Sequence, residues 1–399
     1  MKKFGPLLTA HCLVLGSLSA NAQVTLNPLT SWGNNGWLAP GGADHYVTTG
    51  TTERGLAYGN GHVYLVSRAN VGGNAINIRI MDPNTGADLG GLATSGISGG
   101  TFAVNAAGVG GDGTIYVCNV TSADSSANPF KVYSWATESA TPTVAYSSGT
   151  LLSNGRIGDA LAANGSGAST TLVVGISNAN PSAPFKGYGI VNPPANTGTA
   201  VTVSAANTTD FRLSLSFTDS SHVIGTEMDS GTPYYRYTSF SGSSGTLIAS
   251  PTIPDPGNKK ADRLLSYTVI GGRAILAVAN TVDSHVSIYD VTDPINPVWL
   301  ASQTNTFGSL AVNMNWTGAV AWGPSHDNGD GTSLADLYTL STSQGIQAFV
   351  VTVPEPGVLT ISGLGIGLLG VCRGRRRMKL DGPCCTGRTD SAPQTQGAG

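Results

Sequence analysis

The chain is short of charge, and short of cysteine where cysteine could cross-link. Charged residues occupy 11% of its 399 positions, too few for salt-bridged exposed helical faces. Polarity comes instead from Ser, Thr and Asn, which favour turns over helix interiors. Between residues 23 and 353, 12 Lys and Arg stand against 20 Asp and Glu, a net of −8. That balance argues against nucleic acid and against an anionic membrane surface as partners. Of five cysteines only Cys118 lies in this span, so the body can form no internal disulfide. A body of about 330 residues can rely on its core instead. "TIYVCNV" around Cys118 reads as a strand carrying a buried structural thiol.

Long apolar runs are missing too, and the short ones lie at the ends. "MKKFGPLLTAHCLVLGSLSANAQ" has basic Lys2 and Lys3, an apolar core from Leu7 to Leu18, and small Ala20 and Ala22 before Gln23. This is the pattern of a helical signal peptide, residues 1–22, cleaved before Gln23. At the other end Gly357 to Cys372 carries no charge. As a helix it would reach only about 24 Å, against ~30 Å for a bilayer core. Four arginines between 373 and 377 follow directly, which suits brief membrane insertion with the basic end cytoplasmic.

Pro354-Glu355-Pro356, the short apolar segment and the cluster Arg375-Arg376-Arg377 stand in a telling order. Together they resemble the PEP-CTERM sorting signal of Gram-negative bacteria. The resemblance implies recognition by an exosortase, transit through the inner membrane, and delivery to the cell surface or extracellular matrix. It covers residues 353–377, and a signal peptide at the other end fits the same scheme. The polar tail 378–399 departs from the family, whose signals usually end soon after the basic cluster. Its composition predicts disorder.

Within 23–352 a repeat is visible. Runs such as "HVYLV" (62–66), "TIYVC" (114–118), "TLVVG" (171–175), "HVIGT" (222–226), "AILAV" (274–278) and "DLYTL" (336–340) recur every 50 to 60 residues. Each has a strand-like run before it, such as "RGLAYG" (54–59) or "FRLSLSF" (211–217), and another after it, such as "INIRIMD" (76–82). A fourth, weaker run often closes the unit. This predicts an all-β body, a single β-propeller of six four-stranded blades. The last unit lacks a fourth run, so "QVTLNPLTSW" (23–32) is expected to supply it and close the ring. Two stacked β-sandwiches are the rival architecture. "VSIYDVTDPINPVWLAS" (286–302) is similar to repeats of bacterial surface propellers of unknown function, a likeness that implies no activity.

The innermost strand of a propeller blade lines the central channel. Arg54, Arg156, Arg212 and Arg263 fall at or near the starts of these strands, beside Glu53, Asp159, Asp210 and Asp262. Arg–carboxylate pairs there would form a collar that either holds the blades in register or leaves a site for an anion or sugar acid. Asp327, Asn328, Asp330 and Asp336 in "SHDNGDGTSLAD" offer oxygen ligands for Ca²⁺, with a solvated turn as the plain alternative. No other cofactor is indicated. The histidines lack metal-ligand spacing, and no nucleophile elbow, Walker loop or dinucleotide fingerprint occurs. The six tryptophans offer sugar-stacking faces or core, and strand positions favour core. The expectation is therefore a non-catalytic binding or structural protein linked to exopolysaccharide. The alternative is a propeller hydrolase or lyase acting on polysaccharide or a lactone.

Overall fold

The computed structural model of the protein describes residues 23–41, 46–178, 184–226, 235–253 and 261–355. Among these the chain is almost wholly extended. Its strands are β1 (Thr25–Pro28), β2 (Trp37–Leu38), β3 (Glu53–Gly59), β4 (His62–Ser67), β5 (Asn77–Met81), β6 (Asp88–Gly91), β7 (Phe102–Val109), β8 (Ile115–Val120), β9 (Phe130–Trp135) and β10 (Thr143–Ser148). They continue as β11 (Arg156–Asn164), β12 (Thr171–Ser177), β13 (Gly187–Asn192), β14 (Thr197–Ser204), β15 (Leu215–Phe217), β16 (His222–Thr226), β17 (Tyr235–Ser241) and β18 (Ser244–Ala249). The last are β19 (Asp262–Ile270), β20 (Arg273–Asn280), β21 (Val286–Asp290), β22 (Val298–Gln303), β23 (Gly318–Asp327), β24 (Thr332–Ser341) and β25 (Gly345–Pro354). Among the described residues no helix is long and apolar enough to cross a membrane.

These strands form antiparallel meanders in a propeller-like arrangement. β3 to β6, β7 to β10 and β19 to β22 are four-stranded sheets, and β23 to β25 gain β1 as a fourth strand, with β2 also on β25. β1 lies antiparallel to β25, Thr25 opposite Thr352 and Pro28 opposite Phe349, so the N-terminal segment completes the last sheet. An unforeseen element is an eight-stranded sheet. The meanders β11 to β14 and β15 to β18 join through parallel pairing of β14 with β18. Their outer edges thereby cover one another, which removes two open edges.

The first strands β3, β7, β11, β15, β19 and β23 touch in succession, and β23 returns to β3. Each junction between successive meanders holds an apolar cluster built from alternate strand residues. Tyr64 and Trp135 lie between the first two meanders, Leu172 and Phe130 between the next. Leu264 and Phe349 lie between the last two, and Trp32 and Tyr338 close the circle.

One first strand departs from expectation. The run 211–217 extends only over Leu215–Phe217, because Phe211 adopts φ 66° and turns the chain. Its ring is fully buried, 5.1 Å edge-on from Tyr188. Core packing of one aromatic therefore wins over extension, and Arg212 sits in a turn.

Candidate functional site at the channel mouth

A cavity of about 620 Å³ opens where the first strands begin. Arg54, Arg156 and Arg212 line it, as their positions at strand starts suggested, and Arg68 joins them from the end of β4. Arg263 and Asp262 are not among its lining residues.

Asp159 is the carboxylate that meets this group. Arg156 grips it bidentately, Nε to Oδ2 at 2.5 Å and Nη2 to Oδ1 at 2.6 Å. Arg212 Nε donates to the same Oδ2 at 2.8 Å. Burial alone would raise the Asp159 pKa. The hydrogen bonds and charge of Arg156, with the charge of Arg212, outweigh that and hold it below the usual carboxylate range. The Arg156 pKa is raised by the same bond.

A β-bulge aims Asp159. Pairing of β11 with β12 slips between Ile157 and Leu161, and Gly158 takes φ 100°, a conformation closed to most side chains. The Gly158 carbonyl accepts from Asn105 Nδ2 at 2.8 Å and from the Cys118 thiol at 3.6 Å. Burial pushes that thiol up to about 12, so Cys118 is a prop of the bulge. Arg212 is placed by a second glycine. A Cβ on Gly175 would lie 2.1 Å from the Arg212 carbonyl oxygen.

Arg54 and Arg68 are held differently. Arg54 Nε and Arg68 Nη2 both donate to the Thr51 carbonyl, each at 3.1 Å. Arg54 Nη1 also donates to Thr317 Oγ1, and the Arg68 guanidinium lies 3.6 Å over the Phe102 ring. Among the described residues neither forms an ion pair with a carboxylate. Burial lowers the Arg68 pKa to about 9, with the Arg54 charge adding to it. Burial likewise lowers Arg54 to about 10, partly offset by Asp159. Two cations thus converge on one carbonyl oxygen, where like charges repel.

The other acids of the expected collar face elsewhere. Successive strand residues point to opposite faces, so Glu53 cannot follow Arg54 into the channel. Its Oε1 accepts from the Thr48 amide and Thr52 hydroxyl, and burial raises its pKa. Asp210 closes on Arg236 at 2.7 Å, both buried. Asp262 accepts from Asn280 at 2.7 Å and lies 3.5 Å from His285. Arg263 lies 4.2 Å over the Trp316 ring.

The Ca²⁺ candidates Asp327, Asn328 and Asp330 occupy the turn from β23 to β24. Asp327 accepts from the Gly329 amide at 2.7 Å, Asp330 from Thr332 at 3.0 Å and from Asn328 Nδ2 at 3.2 Å. Asp336 stands farther along β24, where burial raises its pKa. Among the described residues no cluster of three or more His, Cys, Asp or Glu could hold a metal. Of the sorting and cleavage residues, Gln23, Pro354 and Glu355 are described. Ala20, Ala22, Pro356, Arg375, Arg376 and Arg377 lie outside the described residues.

No family model matches the chain, and no curated protein matches it. Solved structures share its fold at low identity. A DUF4623 family protein from Bacteroides eggerthii is 13% identical, with a TM-score of 0.52 over 83% of this chain and 75% of its own. The Hadza microbial sialidase Hz136 is 12% identical, with a TM-score of 0.51 over 79% and 67%. The major allergen Mala s 1 of Malassezia sympodialis is 12% identical, with a TM-score of 0.50 over 78% and 95%. These likenesses bear on the fold alone.

Proposed function

We propose that the chain is a six-bladed propeller that binds an anionic ligand at its channel mouth. It is exported and sorted to the cell surface or extracellular matrix through its PEP-CTERM-like signal, with an exosortase and the inner membrane as transient partners. The observation that carries the binding reading is the pair Arg54 and Arg68. Both share one carbonyl oxygen beside a 620 Å³ cavity, and a ligand anion would supply the direct ion pair that neither has among the described residues. Four guanidiniums line the cavity, and among the described residues Asp159 is the carboxylate that pairs with two of them, inside a body of net negative charge. The site therefore draws its anion by local geometry, where Arg forks match carboxylate planes.

The second reading, a hydrolase or lyase acting on polysaccharide or a lactone, requires an acid and a base converging on a bound sugar. Asp159 is ionised and occupied by two arginines, which supports binding over catalysis.

Calorimetry of the purified full chain with polygalacturonate tests the binding reading. Wild type should bind in a salt-sensitive manner, and Arg68→Gln should weaken binding at least about tenfold, or ~1.4 kcal/mol. Equal binding by that variant would overturn the site. Mass spectrometry of the native protein tests the sorting reading. Loss of residues 1–22 and of the segment after Pro356 is expected, and retention of residues 357–399 would refute processing.

A further inference from the structure

The arginines define one feature of the ligand, and the segment beside them points to another. Residues 304–317, between β22 and β23, are pinned by buried polar side chains. Asn305 Nδ2 donates to the Ala348 carbonyl at 3.0 Å, and Gln344 Nε2 donates to the Ala311 carbonyl at 3.0 Å. Asn313 Nδ2 donates to the Thr317 carbonyl at 2.7 Å. Between these pins Phe307, Val312, Met314 and Trp316 are exposed, Trp316 by 45%. Large apolar side chains held rigidly in water mark a contact surface.

Trp316 is the member tied to the mouth. Its backbone takes φ 53°, and the Arg263 guanidinium covers one side of its ring at 4.2 Å, which fixes the indole. Its neighbour Asn315 lines the cavity, and its other neighbour, Thr317, accepts from Arg54. A flat aromatic face thus stands beside an anion site. The cavity wall between them is hydroxyl- and amide-rich, with Thr51, Thr52, Thr101, Asn105, Asn315 and Thr317. Such a wall suits a ligand dense in hydroxyl groups, with Ala75, Ile76, Phe102 and Ala103 supplying a smaller apolar part of the lining.

We propose that the mouth binds a uronic-acid unit of an acidic polysaccharide, its pyranose ring stacked on Trp316 and its carboxylate between Arg54 and Arg68. This rests on the anion-binding reading above and adds the ligand class to it.

The test is calorimetry on the full chain with three probes: oligogalacturonate, the carboxyl-reduced neutral oligomer, and inorganic phosphate. Wild type should bind the first, ignore the second, and take phosphate weakly in competition with the first. Trp316→Ala should lose at least about tenfold in oligogalacturonate affinity, with phosphate binding unchanged. Trp316→Phe should keep most of the affinity, and Trp299→Ala, at an exposed tryptophan elsewhere, should match wild type. Wild-type affinity in Trp316→Ala would overturn the stacking while leaving the arginine site standing. Binding of the neutral oligomer as tightly as the acidic one would overturn the carboxylate's part. If wild type bound neither oligogalacturonate nor phosphate, the anion-binding reading would fall, and this inference with it.

Discussion

At the scale of the residue, Asp159 sets how much positive charge the mouth presents. Replacing it by Asn leaves Arg156 without its internal counter-ion and takes the same carboxylate from Arg212. Both guanidiniums are partly exposed, 33% and 25%, so water screens part of the loss and about 2 to 3 kcal/mol is expected. Because its folded pKa is lowered, the stabilisation is complete above the ordinary carboxylate value and vanishes as pH falls through the folded one. Urea unfolding at pH 7 should therefore separate wild type from Asp159→Asn, and the gap should begin to close below about pH 4. Anion affinity should rise in the variant, since Arg156 gains free donors. Glu53 has the opposite sign. Its raised folded pKa means that stability falls as pH climbs from the ordinary value of 4.5 through the folded one. Glu53→Gln should flatten that part of the pH–stability profile, and an unchanged slope would show that Glu53 does not titrate there. Arg54, Arg156 and Arg212 were legible in the sequence because strand starts gather at one end of a propeller. Arg68 was not singled out, although the pairing of β3 with β4 puts Ser67 opposite Glu53. Counting that hairpin register back from its turn would have placed the end of β4 at the same mouth.

At the scale of the element, the site depends on two local departures from regular strand, a bulge and a turn. The β11 bulge at Gly158 swings Asp159 into the channel, and the turn at Phe211 brings Arg212 to it. Alternating hydrophobicity reveals strands well because burial has period two. It does not reveal bulges, which depend on a single residue's φ, or turns forced by one aromatic seeking the core. That is why 211–217 reads as a strand and folds mostly as a turn. It is also why the parallel joining of β14 to β18 has no signature, since edge pairing is a bond between backbones. Gly175→Ala tests the turn. The new methyl meets the Arg212 carbonyl, and overpacking of this kind costs about 1 to 3 kcal/mol. The expected result is a lower melting temperature together with loss of the Arg212–Asp159 contact in the variant's structure. A melt and contact like those of wild type would show that the turn yields without strain.

At the scale of the whole molecule, ring closure decides which way the mouth faces. Arg54 binds Thr317 at the start of β23, while β23 ends at the turn to β24, about 30 Å further on. β25 runs parallel to β23, and Glu355 ends beside that far turn, its amide on the Gly331 carbonyl at 2.9 Å. β1 begins opposite Thr352, so both ends of the described body leave on the face away from the arginines. A body held at Glu355 would then present the mouth outward, open to a polymer too large to slip beneath it. Surface plasmon resonance with polygalacturonate distinguishes the two faces. Full chain captured through a C-terminal tag should bind the polymer at full capacity. Chain captured through a biotin-acceptor peptide inserted at Gly308, on the exposed segment beside the mouth, should bind little of it. Equal capacity in both orientations would mean that the polymer engages some other surface, because only the second geometry presses the arginines against the support.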